Sequence, residues 1–397
     1  MARSAVREPG LVRLRSTMND SATLQVALVC DLLEERWPSM DLVADELFRA
    51  LPSVPTPRVE PVRFRPAMPR WPAVLARATH IRAAMNANRY WDRHRRYPRW
   101  LRQHRGGYAA YHVVDHTYAH LVHELPADRT IVTCHDVDAF RSLFEHEPRS
   151  GMFQRMTQQV LDGLRRAAIV ACDSVATRDA LVTHGLRTNR LEVVPLGVHP
   201  AFTPAPRDNV SSKDEMMLLH VGSTIPRKRI DTLLRVFALV RREVPDVRLV
   251  RVGGPFTDEQ TQLVRSLGLE AAITVMPVVT HEALADLYRR AALVLLPSER
   301  EGFGFPVAEA MACATPVVAS DLQVLREVGG AGDGIAYAPV GDIDVWAKAV
   351  CNWLAERRDA PERWRQRRRS AADQASAFTW ARCAHRMAEL YAEVAHG

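Results

Sequence analysis

Short apolar runs alternate with longer amphipathic stretches along almost the whole chain, and this alternation limits the fold more than any other feature. The apolar runs fall at 24–30, 111–115, 130–134, 168–172 and 191–195. They resume at 217–222, 247–253, 273–276, 293–297, 316–320 and 335–337. Helical periodicity occupies 230–243, 257–267, 281–291 and 307–313. A strand apolar on both faces must be covered on both, so the pattern predicts parallel sheets between layers of helices. It breaks once, at Pro195-Leu-Gly-Val-His-Pro200, Pro204, Pro206 and a polar run to 215, which reads as a linker. With 397 residues, each side is long enough for its own doubly wound domain. The expected architecture is α/β, two Rossmann-like β/α/β domains facing a central cleft. Residues 1–22 form an extension, 23–200 the first domain, 201–215 the linker and 216–375 the second domain.

Composition narrows the class. Hydrophobic residues make up 47% and charged residues 25%, which excludes a disordered chain, a fibrous repeat and a small disulfide scaffold. The net charge of +7 is local, because thirteen arginines face only Glu60 and Asp92 between Arg58 and Arg105. Trp71, Trp91, Tyr97 and Trp100 interleave with them, leaving two readings of 58–105 open: a membrane-surface contact or a solvated helix pair. No nucleic-acid-binding module is recognisable, so nucleic acid is not an expected partner. The six cysteines form no CxxC pair, which predicts reduced thiols. No signal-like segment opens the chain, and no apolar run approaches the ~20 residues of a membrane span. The expectation is a cytoplasmic protein, with a peripheral contact at the inner membrane face left open.

Two segments of the second half carry chemistry. The run 217–222 is a buried strand, followed by Ser223-Thr-Ile-Pro-Arg-Lys-Arg229 before a helix from Ile230. A strand, a glycine turn and a helix N-terminus form an anion site, and Arg227 and Lys228 add cations suited to a diphosphate. The loop lacks the GK[ST] and GxGxxG signatures of other phosphate cradles. The second segment is Glu301-Gly-Phe-Gly-Phe-Pro-Val-Ala-Glu309, lying between a buried strand and a helix started by Pro306. Gly302 and Gly304 allow backbone N–H groups close to a ligand. Two carboxylates facing one cleft suit vicinal sugar hydroxyls, since each accepts two hydrogen bonds. Helix-dipole complementarity would explain Glu309 alone, but not the arrangement.

With these residues in place, the chain resembles the GT4 family of retaining glycosyltransferases, which have the GT-B fold. Glu301 and Glu309 match its E-x7-E motif within EGFG-P-EAMA. Val252-Gly-Gly-Pro255, Pro277-Val-Val, Leu287-Tyr-Arg-Arg-Ala291 and Ser320 through Gly330 fit in order and spacing. Phe378-Thr-Trp-Ala381 with Leu390-Tyr391 resembles the family's terminal helix, which crosses back onto the first domain, here 376–397. The resemblance implies that Arg227 and Lys228 hold the donor diphosphate. It implies that Glu309 takes the ribose and Glu301 the sugar hydroxyls. Gly304, Phe305 and Pro306 would line sugar and phosphates, and Gly253 and Val278 would frame the base. Two departures stand out: Ser223 where many members carry Arg, and no Gly-Gly after the first strand, where Pro38-Ser39-Met40 would serve instead.

In the first domain, Thr130-Ile-Val-Thr-Cys-His135-Asp136-Val-Asp138 runs from a strand into a polar loop, where active-site groups cluster. The resemblance makes His135 the residue that reaches the donor sugar, with Asp136 orienting it or touching the acceptor. Asp136-Val-Asp138 spells a DxD, but two carboxylates are a weak metal signal and the family is usually metal-independent. His116 and His120 could share a helical face as zinc ligands, yet no third ligand is evident. Asp115 and His116 therefore read as acceptor contacts, and no metal or cofactor is expected.

The implied activity is that of a hexosyltransferase. It would move a sugar from a UDP- or GDP-sugar to an acceptor hydroxyl with retention, in polysaccharide, glycolipid or natural-product glycoside synthesis. The leaving phosphate would take the acceptor proton, while Arg227 and Lys228 stabilise the leaving group and Glu301 and His135 orient the sugar. The rival readings are a nucleotide-sugar epimerase on the same fold and a membrane-surface-binding protein using 58–105.

Overall fold

The computed structural model describes residues 23–35, 38–67, 89–140, 151–205 and 216–397. The N-terminal extension, the centre of the basic block and 206–215 of the linker lie outside these residues.

Two six-stranded, fully parallel sheets form the frame. The first has β1 (Leu24–Val29), β2 (Val59–Phe64), β3 (Ala110–Val113), β4 (Thr130–Cys134), β5 (Ile169–Cys172) and β6 (Leu191–Val193). Their order is β2-β1-β3-β4-β5-β6. The second has β7 (Met217–Val221), β8 (Arg248–Val252), β9 (Ile273–Met276), β10 (Leu293–Leu296), β11 (Val317–Ser320) and β12 (Ile335–Ala338). Their order is β12-β11-β10-β7-β8-β9. In each sheet the order reverses beside its first strand, which opens a crevice at the carboxyl ends of the strands.

Strand β2 is not legible in the apolar pattern. Pro61 interrupts it, and Glu60 and Arg63 give it a polar character. Its place at the sheet edge explains why proline is tolerated, since only one side needs ladder hydrogen bonds.

Helices α1 (Pro38–Ala50), α2 (Tyr97–His104), α3 (Gly151–Arg166) and α4 (Val175–Thr183) belong to the first domain. The second carries α5 (Ile230–Glu243), α6 (Asp258–Ser266), α7 (His281–Arg290), α8 (Phe305–Ala312), α9 (Gln323–Gly329), α10 (Ile343–Asp359) and α11 (Pro361–Ala375). The last helix, α12 (Trp380–His396), returns to pack on α1 and β3. There the buried Tyr391 hydroxyl meets His112 Nδ1 at 2.7 Å, and His112 Nε2 meets Thr133 Oγ1 at 2.7 Å. One apolar cluster consequently runs through both domains, joining Leu28 and Ile131 to Leu219 and Leu296 through Trp380 and Leu390. Burying a continuous apolar face is what fixes the two sheets to one another.

Half of the described arginines of the basic block, Arg63, Arg65, Arg93, Arg96 and Arg102, pair with acids of the same chain. Arg63 pairs with Asp45 and Arg65 with Asp41, each at 3.0 Å. Arg102 grips Glu124 through two hydrogen bonds of 2.7 and 2.8 Å. Among the described residues, no helix is long and apolar enough to cross a membrane.

Candidate functional site

The carboxyl ends of both sheets meet at one cavity of about 200 Å³, lined by Asp136, Asp138 and Thr177 from the first domain and by Arg300, Glu301 and Gln323 from the second. The sequence-predicted glutamate therefore faces the polar loop of the first domain.

On the second domain, β7 ends at Gly222 and the chain forms a short 3-10 turn over Pro226–Lys228. Arg229 adopts φ 47° and starts α5. The turn brings both predicted cations to the Glu301 loop. Lys228 Nζ donates to Glu301 Oε1 at 2.6 Å, and Arg227 lies 3.5 Å from Glu301 Oε2 while donating to the Arg300 carbonyl at 2.9 Å. The Glu299 N–H returns a hydrogen bond to the Arg227 carbonyl at 2.7 Å, so the two loops are pinned together.

The Glu301–Glu309 segment needs its glycines for different reasons. Gly304 has φ 95° at the start of α8, a left-handed conformation that side chains disfavour. Gly302 lies so close to the first domain that a Cβ there would stand 2.2 Å from the His135 carbonyl oxygen. Phe305 and Pro306 form the first turn of α8. Glu309 is buried further along α8, and the Tyr288 hydroxyl from α7 donates to its Oε2 at 2.8 Å. Burial pushes the Glu309 carboxyl up to about 7, against the opposing pull of that hydrogen bond. Gly253 follows β8 and donates its N–H to the Met276 carbonyl at 3.2 Å. Val278, in the loop after β9, is 70% exposed, an unusual position for an apolar side chain.

His135 is placed differently from the expectation that it reaches the sugar with its ring. The ring is buried and both nitrogens are engaged, Nδ1 with Asp173 Oδ2 at 2.6 Å and Nε2 with the Val114 carbonyl at 2.8 Å. Burial disfavours the imidazolium, but the Asp173 carboxylate outweighs it and raises the group to about 10. A charged ring donating from both nitrogens follows. What His135 presents toward the second domain is its backbone carbonyl, against Gly302.

The three residues expected at the acceptor separate into floor and rim. Asp115 and His116 are buried. Asp115 accepts from the Thr117 N–H at 2.7 Å and the Thr117 hydroxyl at 2.8 Å. Burial opposes its ionisation, yet His116, His135 and these hydrogen bonds hold it down to about 2. The neighbouring Asp31, at the end of β1, is pushed well above the carboxylate range by burial and the Asp115 charge, so it is the protonated partner. His116 Nδ1 accepts from the His135 N–H at 3.3 Å, and its buried Nε2 is 3.7 Å from Asp136 Oδ1. Only Asp136 reaches the interdomain cavity. The second acid of the DxD is taken by arginines: Asp138 meets Arg300 at 3.1 Å and Arg227 at 3.3 Å.

Sequence reasoning missed Asp173, Asp31 and Glu327. The first two directly follow or nearly follow the buried strands β5 and β1, where the rule that pointed to His135 applies equally. Glu327, on α9, reaches across the domains and accepts the N–H groups of Val175 and Ala176 at 2.7 and 2.8 Å, at the start of α4. Ser174 Oγ adds a bond to the Gly302 carbonyl at 3.1 Å.

Residues 202–371 match the family described as Glycosyl transferases group 1. The group 1 match thus contains both glutamates and the Arg227–Lys228 turn. The chain is 35% identical over 259 residues to D-inositol 3-phosphate glycosyltransferase of Kineococcus radiotolerans, covering 59% of this chain and 58% of that protein. Against the protein of the same name from Mycobacterium tuberculosis it is 36% identical over 237 residues, covering 56% and 47%. The chain thus spans about half the length of the curated relatives it matches.

Solved structures share the whole two-domain frame. Sucrose-phosphate synthase from Thermosynechococcus elongatus superposes with a TM-score of 0.66 at 20% identity, covering 93% of this chain and 98% of that one. HepE from Anabaena, in complex with UDP and glucose, gives a TM-score of 0.69 at 16% identity, covering 93% and 99%. The two domains therefore form a GT-B fold.

Proposed function

We propose that the protein is a glycosyltransferase, moving a hexose from a nucleoside diphosphate sugar to an acceptor hydroxyl with retention of configuration and without a metal ion. The observation that carries this reading is the joined pair of loops in which Lys228, Arg227 and Glu301 meet beside Asp136. Lys228 and Arg227 are the cations for the diphosphate, and they stabilise the charge growing on the leaving group. Glu301 then accepts hydroxyls of the sugar, and Glu309, oriented by Tyr288, accepts those of the ribose. Gly304, Phe305 and Pro306 line the phosphates, with Gly253 and the exposed Val278 beside the base. His135 acts through its position: its fixed imidazolium and carbonyl shape the rim against which the sugar turns. Asp136, at the interdomain cavity, faces the acceptor hydroxyl.

The bound UDP of the Anabaena relative supports a uridine nucleotide as the first donor to try. The inositol phosphate named for the curated relatives supports a hydroxylated small acceptor, although the match covers only part of those proteins.

The test is a screen of UDP-, GDP- and ADP-sugars for donor hydrolysis, with and without EDTA, followed by NMR of the anomeric proton in the released or transferred sugar. Turnover with one donor, undiminished by EDTA and giving the retained anomer, is expected. An inverted product, or turnover abolished by EDTA, would remove the corresponding part of the reading.

A further inference from the structure

A second cavity, of about 340 Å³, lies in the first domain outside the residues discussed so far. Its volume falls in the range of small-ligand pockets. Two elements supply its walls. Phe153, Met156 and Val160 come from α3 at spacings of three and four, one face of that helix, and Phe140 joins them. Opposite in chemistry is the segment carrying Arg89, Arg93 and His94, which presents a polar face.

That polar face is built into the fold. Arg93 and His94 sit on a π-helical turn, Asp92–Arg96, a widened turn that is rare and recurs at functional sites. The Arg93 guanidinium lies 4.0 Å from the Tyr118 ring centroid, is 3.3 Å from Glu35 and donates to the Thr117 carbonyl. Among the described residues, its Nε and the Nδ1 of His94 are buried without a hydrogen-bond partner. Glu35 balances only one of the two arginines.

The cavity adjoins the reaction centre. Ala139 and Phe140 line it, and they continue the turn from Asp138, which holds Arg227 and Arg300 at the interdomain cavity. Thr117, also on its wall, holds Asp115.

We propose that this cavity receives the acceptor, and that the acceptor is a small amphiphile with an aromatic or short apolar body and an anionic group set against Arg89 and Arg93. This rests on the glycosyl-transfer reading and deepens it. A bare polyol phosphate would leave the Phe140–Phe153–Met156–Val160 wall facing polar hydroxyls, with no gain from burying apolar surface.

Calorimetric titration of the full chain, with and without UDP, tests this using three probes: 4-hydroxyphenylacetate, neutral 4-ethylphenol and myo-inositol 1-phosphate. The anionic aromatic probe is expected to bind at least tenfold more tightly than either of the others. Arg89→Ala should erase its advantage over 4-ethylphenol, whereas Phe153→Ala should weaken both aromatic probes by about tenfold. Inositol phosphate binding as well as the aromatic acid, or both variants leaving all three affinities unchanged, would overturn the proposal. Failure to bind any nucleoside diphosphate, with the aromatic preference intact, would overturn the glycosyl-transfer reading and leave the cavity's chemistry standing.

Discussion

Lys228 Nζ and Glu301 Oε1 stand 2.6 Å apart, with side chains only 11% and 6% exposed. The proposed diphosphate cation and the proposed sugar-binding carboxylate thus hold each other in the structure. A buried ammonium is costly unless paired, so the Glu301 contact holds Lys228 in place where a diphosphate can meet it.

Lys228→Met should weaken UDP or GDP binding by more than tenfold, in line with the roughly 1.5–3 kcal/mol of a charge-assisted hydrogen bond. Glu301→Gln should leave nucleotide affinity within about threefold, because the carboxamide oxygen still accepts from Lys228, and should cut turnover far more. Calorimetry and a donor-turnover assay read the two effects separately. An unchanged nucleotide affinity in Lys228→Met would end its diphosphate role.

Glu309 gives a pH signature. Its carboxyl is raised in the fold to about 7 by burial, above an ordinary value near 4.5. The folded state therefore holds a proton that the unfolded state releases, and stability from this group is present below about pH 4.5 and lost as pH rises to about 7. Ribose binding runs the other way, since the ionised carboxylate accepts two hydroxyls. Nucleotide affinity should rise from pH 6 to pH 8, and Glu309→Gln should flatten that rise. A slope persisting in the variant would assign the titration elsewhere.

The His135–Asp173 pair titrates on the alkaline side. With the imidazole raised to about 10 from its ordinary 6.5, its stabilising effect is complete below about pH 6.5 and lost as pH climbs through about 10. Asp173→Asn breaks a buried pair and should cost about 3–5 kcal/mol in urea denaturation at pH 7. It should also flatten the fall in stability between pH 7 and 10. An imidazole NMR titration near 6.5 in the intact protein would contradict the geometry.

Glu327 spans the domains, so its loss should be felt as opening. Glu327→Ala removes the acceptor for two N–H groups at the start of α4, comparable to losing a helix cap at about 0.5–2 kcal/mol. A larger radius of gyration by small-angle scattering is expected, with a raised KM for acceptor. Scattering identical to the parent protein would show that the contact does not hold the domains closed.

Much of the geometry of the proposed donor side was legible because its parts are contiguous. Glu301 and Glu309 share one loop and helix, and Arg227 and Lys228 share one turn, so residue spacing nearly fixes their relation. The acceptor side is assembled from β1, β3, β4, β5 and the 89–96 segment, and no local pattern records which of these ends meet. The expectation for His135 shows the difference. Its position at the end of β4 is a matter of sequence order, but the direction of its ring was set by Asp173, thirty-eight residues on, and by the Val114 carbonyl.

By itself the sequence determined two parallel α/β sheets and the glutamate loop, because apolar periodicity and short spacings are local consequences of strand and helix geometry. Tertiary structure alone decided that edge strand β2 could carry Pro61 and that Glu327 and Asp138 would reach across the cleft. It also decided that half of the described arginines of the basic segment would pair with acids of the same chain. Those outcomes depend on side chains far apart in sequence meeting in a low-dielectric setting, where burial and charge set one another's state.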